Sequence, residues 1–345
     1  GVTATATDAQ SDENGGTATV ELVLDAEPTG DVTVTVGSDN TSEGIADVTD
    51  LTFTAANWNV PQIVTVTGQD DLIVDGDVNY NLLVGPVSST DTAYDGLNPA
   101  DVPLVNIDND TPGITVTPSG TETDEGGATV TVDIVLDAAP LADVTIPVAT
   151  DDATEGTTDI ASVTFTTENW NVPQTVTVTG ADDSLNDGDM AYTIVVGPAS
   201  SSDTNYDNLE ADDVSLTNLD DDDADIAITP LTGTETTEAG GTATFEFVLT
   251  SEPLGDVTLP FASTDTTEGT LSDASFTFTP SNWDQPQVLT VTGVSDDIDD
   301  GDIAYSVAVG PATSTDGDYD GNDPADLTLN NLDDDTAGVT VAPIG

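Results

Sequence analysis

Apolar and polar residues alternate with a period of two over several short stretches of this chain. In 130–137 (VTVDIVLD), every second residue is Val, Ile or Leu, and in 175–179 (TVTVT) Val alternates with Thr. Successive side chains of a β-strand point to opposite faces, so this period predicts half-buried strands. No stretch has a convincing helical period. In the middle third of the chain we expect seven strands, near 113–117, 128–136, 144–149, 163–166, 174–179, 190–196 and 213–218.

The strand pattern recurs three times along the chain. A phrase of the form Asn-Trp-x-x-Pro-Gln contains Trp58, Trp170 and Trp283, at spacings of 112 and 113 residues. Paired glycines, an Asp-Gly-Asp phrase, a Gly-Pro phrase and a closing Asn-Ile/Leu-Asp phrase recur at matching positions. Repetition at a fixed period indicates an array of similar units. We therefore expect three domains, which span 1–110, 111–222 and 223–335.

The size of one copy indicates its fold. Seven short strands in about 112 residues match an immunoglobulin-like β-sandwich. The predicted fold class is all-β, with three tandem immunoglobulin-like β-sandwich repeats in an extended array. One recurring tryptophan and one recurring tyrosine of each copy are expected to pack at the domain core rather than to stack on a ligand: Trp58, Trp170, Trp283, Tyr80, Tyr192 and Tyr305.

The last ten residues, 336–345, resemble the start of each copy. Their phrase 338–341 (GVTV) matches 113–116 (GITV) and 1–3 (GVT). One interpretation is that 336–345 is the first strand of a fourth copy, at a boundary within a longer array. The other is that this strand is donated to a neighbouring subunit and completes its sheet by β-strand addition.

The charge of the chain excludes several classes of function. It contains 67 Asp and Glu residues and no Lys, Arg, His or Cys, for a net charge of −67. There is therefore no disulfide, no thiol or imidazole for catalysis, and no ordinary zinc or copper site. Nucleic acid and anionic membranes are excluded as partners by charge, and no apolar stretch is long enough for membrane insertion. Paired carboxylates could serve a glycosidase, but acids that recur in every copy without helper cations argue against an enzyme.

The carboxylates need partners that this chain cannot supply as side-chain cations. Acidic residues recur at loop positions of all three copies, and loops that are distant in sequence meet at the ends of a sandwich. Calcium binds six to eight oxygen ligands, which carboxylates and carbonyls provide. The sequence therefore predicts Ca²⁺ ions at or near the junctions between repeats. The alternative is that these residues are simply solvated acidic loops.

The motifs of each copy resemble those of the Calx-β family. In copy two they are, in order, Glu125-Gly126-Gly127, the strand at 130–136, the segment 143–149, Asp151-Asp152, the strand at 176–180 followed by Asp182-Asp183, and Asp220-Asp221-Asp222. Where the family has Asp-Glu before its sixth strand, this copy has Gly188-Asp189. The Asn-Trp-Asn-x-Pro-Gln phrase resembles long repetitive surface proteins of bacteria and archaea.

The resemblance implies an immunoglobulin-like sandwich that binds calcium at one end, through inter-strand loops and the last residues of the domain. Matched motif by motif, it implies three sets of calcium ligands. These are Glu13, Asp39, Asp70, Asp71, Asp108 and Asp110 in copy one, Glu125, Asp151, Asp182, Asp183, Asp220 and Asp222 in copy two, and Glu238, Asp265, Asp296, Asp297, Asp333 and Asp335 in copy three.

These observations favour a structural component of an extracellular filament, stalk or surface layer, in which calcium makes tandem repeats rigid. Its expected partners are calcium and copies of itself. An alternative function is a cell-surface adhesin module that binds glycans or partner cells, which would require an exposed aromatic patch or one copy with divergent loops. A further alternative is that the acidity is a halophile's surface adaptation, stabilised by an unspecific cation atmosphere.

Overall fold

The computed structural model describes residues 1–341, in which all regular secondary structure is β-strand. The strands form three sandwiches in succession along the chain, and each sandwich consists of two facing sheets. The predicted fold class is thereby confirmed. Within the described residues no helix has the length and apolar character needed to cross a membrane.

The first sandwich lies within residues 2–107. One sheet has the strand order β1-β3-β7-β5 and the other β2-β9-β8-β4-β6. The strands are β1 (Val2–Asp8), β2 (Gln10–Asp12), β3 (Thr17–Leu24), β4 (Val32–Ser38), β5 (Gly44–Ala46), β6 (Asp50–Phe53), β7 (Gln62–Gly68), β8 (Val78–Ser89) and β9 (Val102–Ile107).

The second sandwich lies within residues 114–219. Its strands are β10 (Ile114–Pro118), β11 (Glu122–Asp124), β12 (Thr129–Leu136), β13 (Val144–Thr150), β14 (Gly156–Thr158), β15 (Ser162–Phe165), β16 (Gln174–Gly180), β17 (Met190–Val196), β18 (Ser200–Ser201) and β19 (Val214–Leu219). The sheet orders are β10-β12-β16-β14 and β11-β19-β17-β13-β15, and β18 also pairs with β13.

The third sandwich lies within residues 226–332. Its strands are β20 (Ile226–Pro230), β21 (Glu235–Thr237), β22 (Thr242–Leu249), β23 (Val257–Ser263), β24 (Gly269–Leu271), β25 (Ser275–Phe278), β26 (Gln287–Gly293), β27 (Ile303–Val309) and β28 (Leu327–Leu332). The sheet orders, β20-β22-β26-β24 and β21-β28-β27-β23-β25, match those of the first sandwich position by position.

The seven strands expected in the middle copy are all present, with ends that differ by at most one residue. The sequence pattern missed β11, β14 and β18, which have only two or three residues each. A period of two cannot be recognised over so short a stretch, and these strands are specified by their partners. The strand β11, for example, pairs in parallel with β19 over three residues.

Each sandwich encloses its own core, and the period of two explains why. In β12, buried and more exposed residues alternate along the whole strand. Phe53, Phe165 and Phe278 end equivalent strands and are fully buried, and each stabilises its domain by about 1.5–3 kcal/mol through removal of its ring from water. The expectation for the recurring aromatic residues is confirmed, because the tryptophans pack partly buried against the three cores and the tyrosines lie within them.

Consecutive sandwiches contact each other through one recurring loop. The loop between β7 and β8 of the first sandwich reaches the second, where the Ala139 N–H donates to the Leu72 carbonyl over 2.5 Å and Ile73 forms a parallel bridge with Ala139. The equivalent loop of the second sandwich reaches the third, where the Glu252 N–H donates to the Ser184 carbonyl over 2.6 Å. Both joints thus use the same backbone contact.

Residues 336–345, which follow the third sandwich, were expected to form the first strand of a fourth copy or a donated strand. Its described part, 336–341, forms no strand. A first strand such as β10 forms its ladder with the second long strand of its own sandwich, and residues 333–341 contain no strand that could serve as such a partner. Residues 342–345 lie outside the described residues.

Candidate metal centres

Carboxylate clusters occupy one end of each sandwich, two in the first and third and one in the second, and strand pairing explains why they meet there. Because β2 runs parallel to β9, with Asp12 opposite Ile107, the residues that follow both strands lie at the same end. In the first sandwich these are Glu13 and Asp108. Strand β5 begins beside the end of β7, with Gly44 opposite Gly68, so Glu43 and the β7–β8 loop also reach this end.

The first group of carboxylates, here called the terminal cluster, joins the turn after the short second strand to the last residues of the domain. Its members have ligand oxygens within 4.8 Å of one another. They are Glu13, Asp108 and Asp110 in the first sandwich, Glu125, Asp220 and Asp222 in the second, and Glu238, Asp334 and Asp335 in the third.

The second group, here called the loop cluster, joins the glutamate before the short fifth strand to the β7–β8 loop and its equivalents. Its ligand oxygens also lie within 4.8 Å of one another. The members are Glu43, Asp71 and Asp75 in the first sandwich and Glu268, Asp296 and Asp300 in the third. In the second sandwich, Glu155 and Asp187 lie at the equivalent positions, and the charge of Asp187 raises the pKa of Glu155 in addition to the larger effect of burial.

Backbone N–H groups satisfy part of the terminal cluster. Glu13 Oε2 accepts from the Asn109 N–H over 3.1 Å, and Asp108 Oδ1 accepts from the Asp110 N–H over 2.7 Å. Other carboxylate oxygens are buried and accept no hydrogen bond: Asp110 Oδ2, Glu238 Oε2 and Asp335 Oδ2. A buried carboxylate oxygen without a donor is strongly unfavourable. The terminal cluster therefore has the oxygen donors and the unmet charge that a cation would satisfy.

The pKa values of the terminal-cluster glutamates are raised by the same burial and mutual repulsion. The pKa of Glu13 is raised to about 7, chiefly by burial and in addition by the charges of Asp108, Asp71 and Asp110, against the lowering effect of the Asn109 N–H. Burial and neighbouring aspartates likewise raise the pKa of Glu125 to about 7. Each of these glutamates is at most 5% exposed. The charge of Asp71 also raises the pKa of Glu43, so Asp71 lies close to both the terminal cluster and the loop cluster of the first sandwich.

Most of the expected ligands lie in or beside these clusters. The cluster members among them are Glu13, Asp71, Asp108, Asp110, Glu125, Asp220, Asp222, Glu238, Asp296 and Asp335. The remaining ones near the clusters act on the pKa of a member through their charge: Asp70 on Asp110, Asp182 and Asp183 on Asp222, and Asp297 and Asp333 on Asp335.

The clusters do not include Asp39, Asp151 and Asp265. Asp39 Oδ1 accepts from the Asn81 N–H over 2.7 Å, and Asp151 Oδ1 accepts from the Thr193 N–H over 2.6 Å. These two carboxylates thus connect adjacent strands. Asp265 instead accepts from the N–H of Thr267, two residues further on. Its structural counterpart in the second sandwich is Asp152, which accepts from Thr154 in the same way.

Sequence reasoning missed one glutamate and one loop aspartate of each loop cluster. The missed residues in the clusters and at their equivalent positions are Glu43, Asp75, Glu155, Asp187, Glu268, Asp300 and, in the third terminal cluster, Asp334. A signal was present, because a Glu-Gly pair recurs at Glu43, Glu155 and Glu268 with the spacing of the tryptophans. The Asp-Gly-Asp phrase that marks the repeat begins with the missed aspartate of each loop.

Comparison with known proteins assigns the chain to no family. No family model and no curated protein matches it. Among solved structures, the calcium binding domain CBD12 of CALX1.1 is 14% identical, with 56% of this chain and 78% of that chain covered and a TM-score of 0.26. Domains 4–9 of surface layer protein SbsC are 14% identical over 97% of this chain and 47% of that chain, with a TM-score of 0.25. The zebrafish RET cadherin-like domains 1 to 4 are 13% identical over 87% of this chain and 65% of that chain, with a TM-score of 0.25. Values this low carry no argument about function.

Proposed function

We propose that each sandwich binds calcium at its carboxylate clusters, and that the chain is a structural component of an extracellular filament, stalk or surface layer. The observation that carries this proposal is the set of buried carboxylate oxygens without a donor, at Asp110, Glu238 and Asp335. Because the chain has no Lys, Arg or His, no side chain of its own can neutralise them.

The chemistry of the donors favours calcium over other metals. The clusters offer carboxylate oxygens, and backbone carbonyls and water can complete the coordination. Soft or borderline metals prefer thiolate and imidazole ligands, which this chain lacks entirely. Calcium accepts six to eight oxygens in flexible geometry, whereas magnesium requires a near-ideal octahedron and gives up its water reluctantly. Calcium sites of extracellular modules function at 10⁻⁴–10⁻³ M, the range in which a weak site suffices.

The position of the loop cluster explains how calcium would make the array rigid. The β7–β8 loop supplies Asp71 and Asp75 to the cluster, and between them Leu72 and Ile73 contact the second sandwich. The terminal cluster includes Asp110, four residues before β10 begins at Ile114. An ion in either cluster therefore holds a segment that also connects two sandwiches. This is the basis for the proposed mechanical role, and the millimolar calcium that weak sites require is the basis for the proposed localisation outside the cell.

Thermal unfolding of the whole chain tests the proposal. The melting midpoint is measured in EDTA and after calcium is restored, in constant high sodium chloride. We expect calcium to raise the midpoint by many degrees, and an equal ionic strength of sodium to leave it in place. If calcium and sodium act alike, the carboxylates are solvated surface acids and the calcium sites are refuted.

A pair of matched variants locates the effect. Asp222→Asn removes a charge from the terminal cluster of the second sandwich, and Asp143→Asn removes the same charge from an exposed position before β13, at the opposite end of that sandwich. We expect Asp222→Asn to reduce the calcium-induced shift and Asp143→Asn to leave it unchanged. An equal reduction in both variants would mean that net charge, rather than a site, determines the response.

A further inference from the structure

A buried chain of hydrogen bonds connects the loop cluster to a tyrosine inside the first and the third sandwich. In the third sandwich, the Tyr305 hydroxyl and Thr236 Oγ1 lie 3.0 Å apart, and Thr236 Oγ1 donates to Asn331 Oδ1 over 3.1 Å. Asn331 Nδ2 then donates to Glu268 Oε2 over 3.2 Å and to the Val294 carbonyl over 3.0 Å. The chain of contacts thus ends on a carboxylate of the loop cluster.

The same network occurs in the first sandwich. The Tyr80 hydroxyl lies 3.0 Å from Ser11 Oγ, which donates to Asn106 Oδ1 over 2.9 Å. Asn106 Nδ2 donates to Glu43 Oε2 over 3.3 Å and to the Gln69 carbonyl over 3.0 Å. Asn106 is 1% exposed, so its amide has no access to water as a substitute partner.

The hydrogen-bonding capacity of asparagine explains why this residue type is required. The amide nitrogen faces only acceptors, a backbone carbonyl and a carboxylate, and the amide oxygen faces a hydroxyl that can donate. In the first sandwich, Asn106 lies on β9, which is the last strand in chain order and belongs to one sheet. Glu43 precedes β5 and Gln69 follows β7, and both of these strands belong to the other sheet. One side chain therefore fixes both sheets at the end that carries the clusters.

The tyrosine restricts the glutamate from the other side. A Cβ atom at Gly44 would lie 2.6 Å from the ring of Tyr80, and one at Gly269 would lie 2.4 Å from the ring of Tyr305. The ring therefore packs directly on the backbone next to Glu43 or Glu268. Neither residue can shift without movement of the tyrosine, the asparagine or both.

We propose that Asn106 and Asn331 are positioning residues for the metal centre: each orients the loop-cluster glutamate toward its aspartate partners and couples that glutamate to a buried tyrosine hydroxyl. The inference rests on calcium binding at the loop clusters. It adds that a group outside the ligand set determines the affinity, and that Tyr80 and Tyr305 report occupancy. Partners that orient metal ligands from behind commonly change metal affinity by about 10–100-fold when removed.

Calcium titration calorimetry of the whole chain tests the positioning role. Asn331→Leu keeps the approximate size and removes both amide groups, and Asn330→Leu makes the same change at the adjacent, exposed position of β28. We expect Asn331→Leu to weaken the third sandwich's loop-cluster binding about 10–100-fold, while the other sandwiches retain their affinity as an internal reference. Asn330→Leu should bind as the wild type does. Identical isotherms for the two variants would overturn the inference, and absence of binding in the wild type would overturn the proposed function instead.

A second measurement does not depend on the folding of Asn331→Leu. The near-ultraviolet absorbance of tyrosine is recorded as calcium is added to the wild type, to Tyr80→Phe and to Tyr94→Phe. Tyr94 is equally buried, but its hydroxyl donates to the Ala26 carbonyl, outside the network. We expect a calcium-dependent difference spectrum that Tyr80→Phe reduces and Tyr94→Phe preserves. A spectrum that is absent from the wild type while calorimetry shows binding, or that Tyr80→Phe leaves intact, would refute the coupling.

Discussion

Glu125→Gln should change the stability of the second sandwich in opposite directions with and without calcium. Glu125 is 5% exposed, and its ligand oxygen lies within 4.8 Å of those of Asp220 and Asp222. At 4.8 Å, two unit charges repel by about 1 kcal/mol under water-like screening and by about 3.5 kcal/mol at an effective dielectric constant near 20. Asp220 and Asp222 are only partly buried, so the lower value applies. Removal of two repulsions then stabilises the calcium-free sandwich by about 2 kcal/mol when all three groups are charged.

In the presence of calcium, Glu125→Gln should lower the free energy of unfolding instead of raising it. Glutamine keeps the shape of Glu125 but offers a neutral oxygen, so the calcium-bound sandwich loses one charged ligand and becomes less stable than the wild type. Differential scanning calorimetry at pH 8 measures both effects, because 1 kcal/mol moves the midpoint of a domain of this size by about 4 °C or more. Glu122→Gln, at an exposed position of β11, is the matched control and should change neither midpoint. A lower midpoint for Glu125→Gln in EDTA as well as in calcium would refute the repulsive cluster.

The remaining predictions concern pH, the core and the joints. The pKa of Glu125 is raised to about 7 in the folded state, so protonation of Glu125 stabilises the calcium-free sandwich; this contribution is complete below the unfolded-state pKa and is lost as pH rises through 7. The melting midpoint in EDTA should therefore rise as pH is lowered from about 8 to about 5. In calcium, acid should lower the midpoint, because protons compete with the ion for the carboxylates. Phe165→Ala should cost about 3–5 kcal/mol by denaturant titration, and an equal loss from exposed Val172→Ala would contradict the assigned core. Ile73→Asp should loosen the first joint, which small-angle scattering would detect as a broader distance distribution with unchanged domain melting. Ile63→Asp, exposed near the start of β7 and therefore at the other end of the first sandwich, should leave the distribution as it is.

The sequence allowed prediction of the sandwich and of the terminal group of carboxylates, but not of the loop cluster as a whole. The long strands could be predicted because alternation such as that of 130–136 directly encodes burial of one face. The terminal clusters could be predicted because their aspartates follow a strand that is easily recognised. The short strands β5, β14 and β24 are specified by tertiary pairing alone, so the glutamates that precede them were not connected with the loop.

The position of Asp265 shows that sequence order alone does not identify equivalent residues in the three copies. Asp265 follows Asp39 and Asp151 in sequence order, but the copies differ in length by one residue, and the equivalent position in the third sandwich is Thr264. Its hydroxyl donates to the Ser306 carbonyl over 2.9 Å, where Asp39 and Asp151 each accept from the opposing strand. Hydrogen-bond geometry, rather than residue type, identifies the equivalent residue. The buried asparagine network has no sequence signal of its own beyond the closing Asn-Ile/Leu-Asp phrase.

The parallel pairing of β2 with β9, repeated in β11 with β19 and β21 with β28, determines how each sandwich would bear tension. The second strand of each sandwich lies next to the strand through which the chain leaves, and the two strands run in the same direction. A pull on both ends of the array therefore slides these strands past each other, so that all of their hydrogen bonds bear the load together instead of opening one at a time. An ion in the terminal cluster, which lies at the end of both strands, would act as a clamp against that sliding.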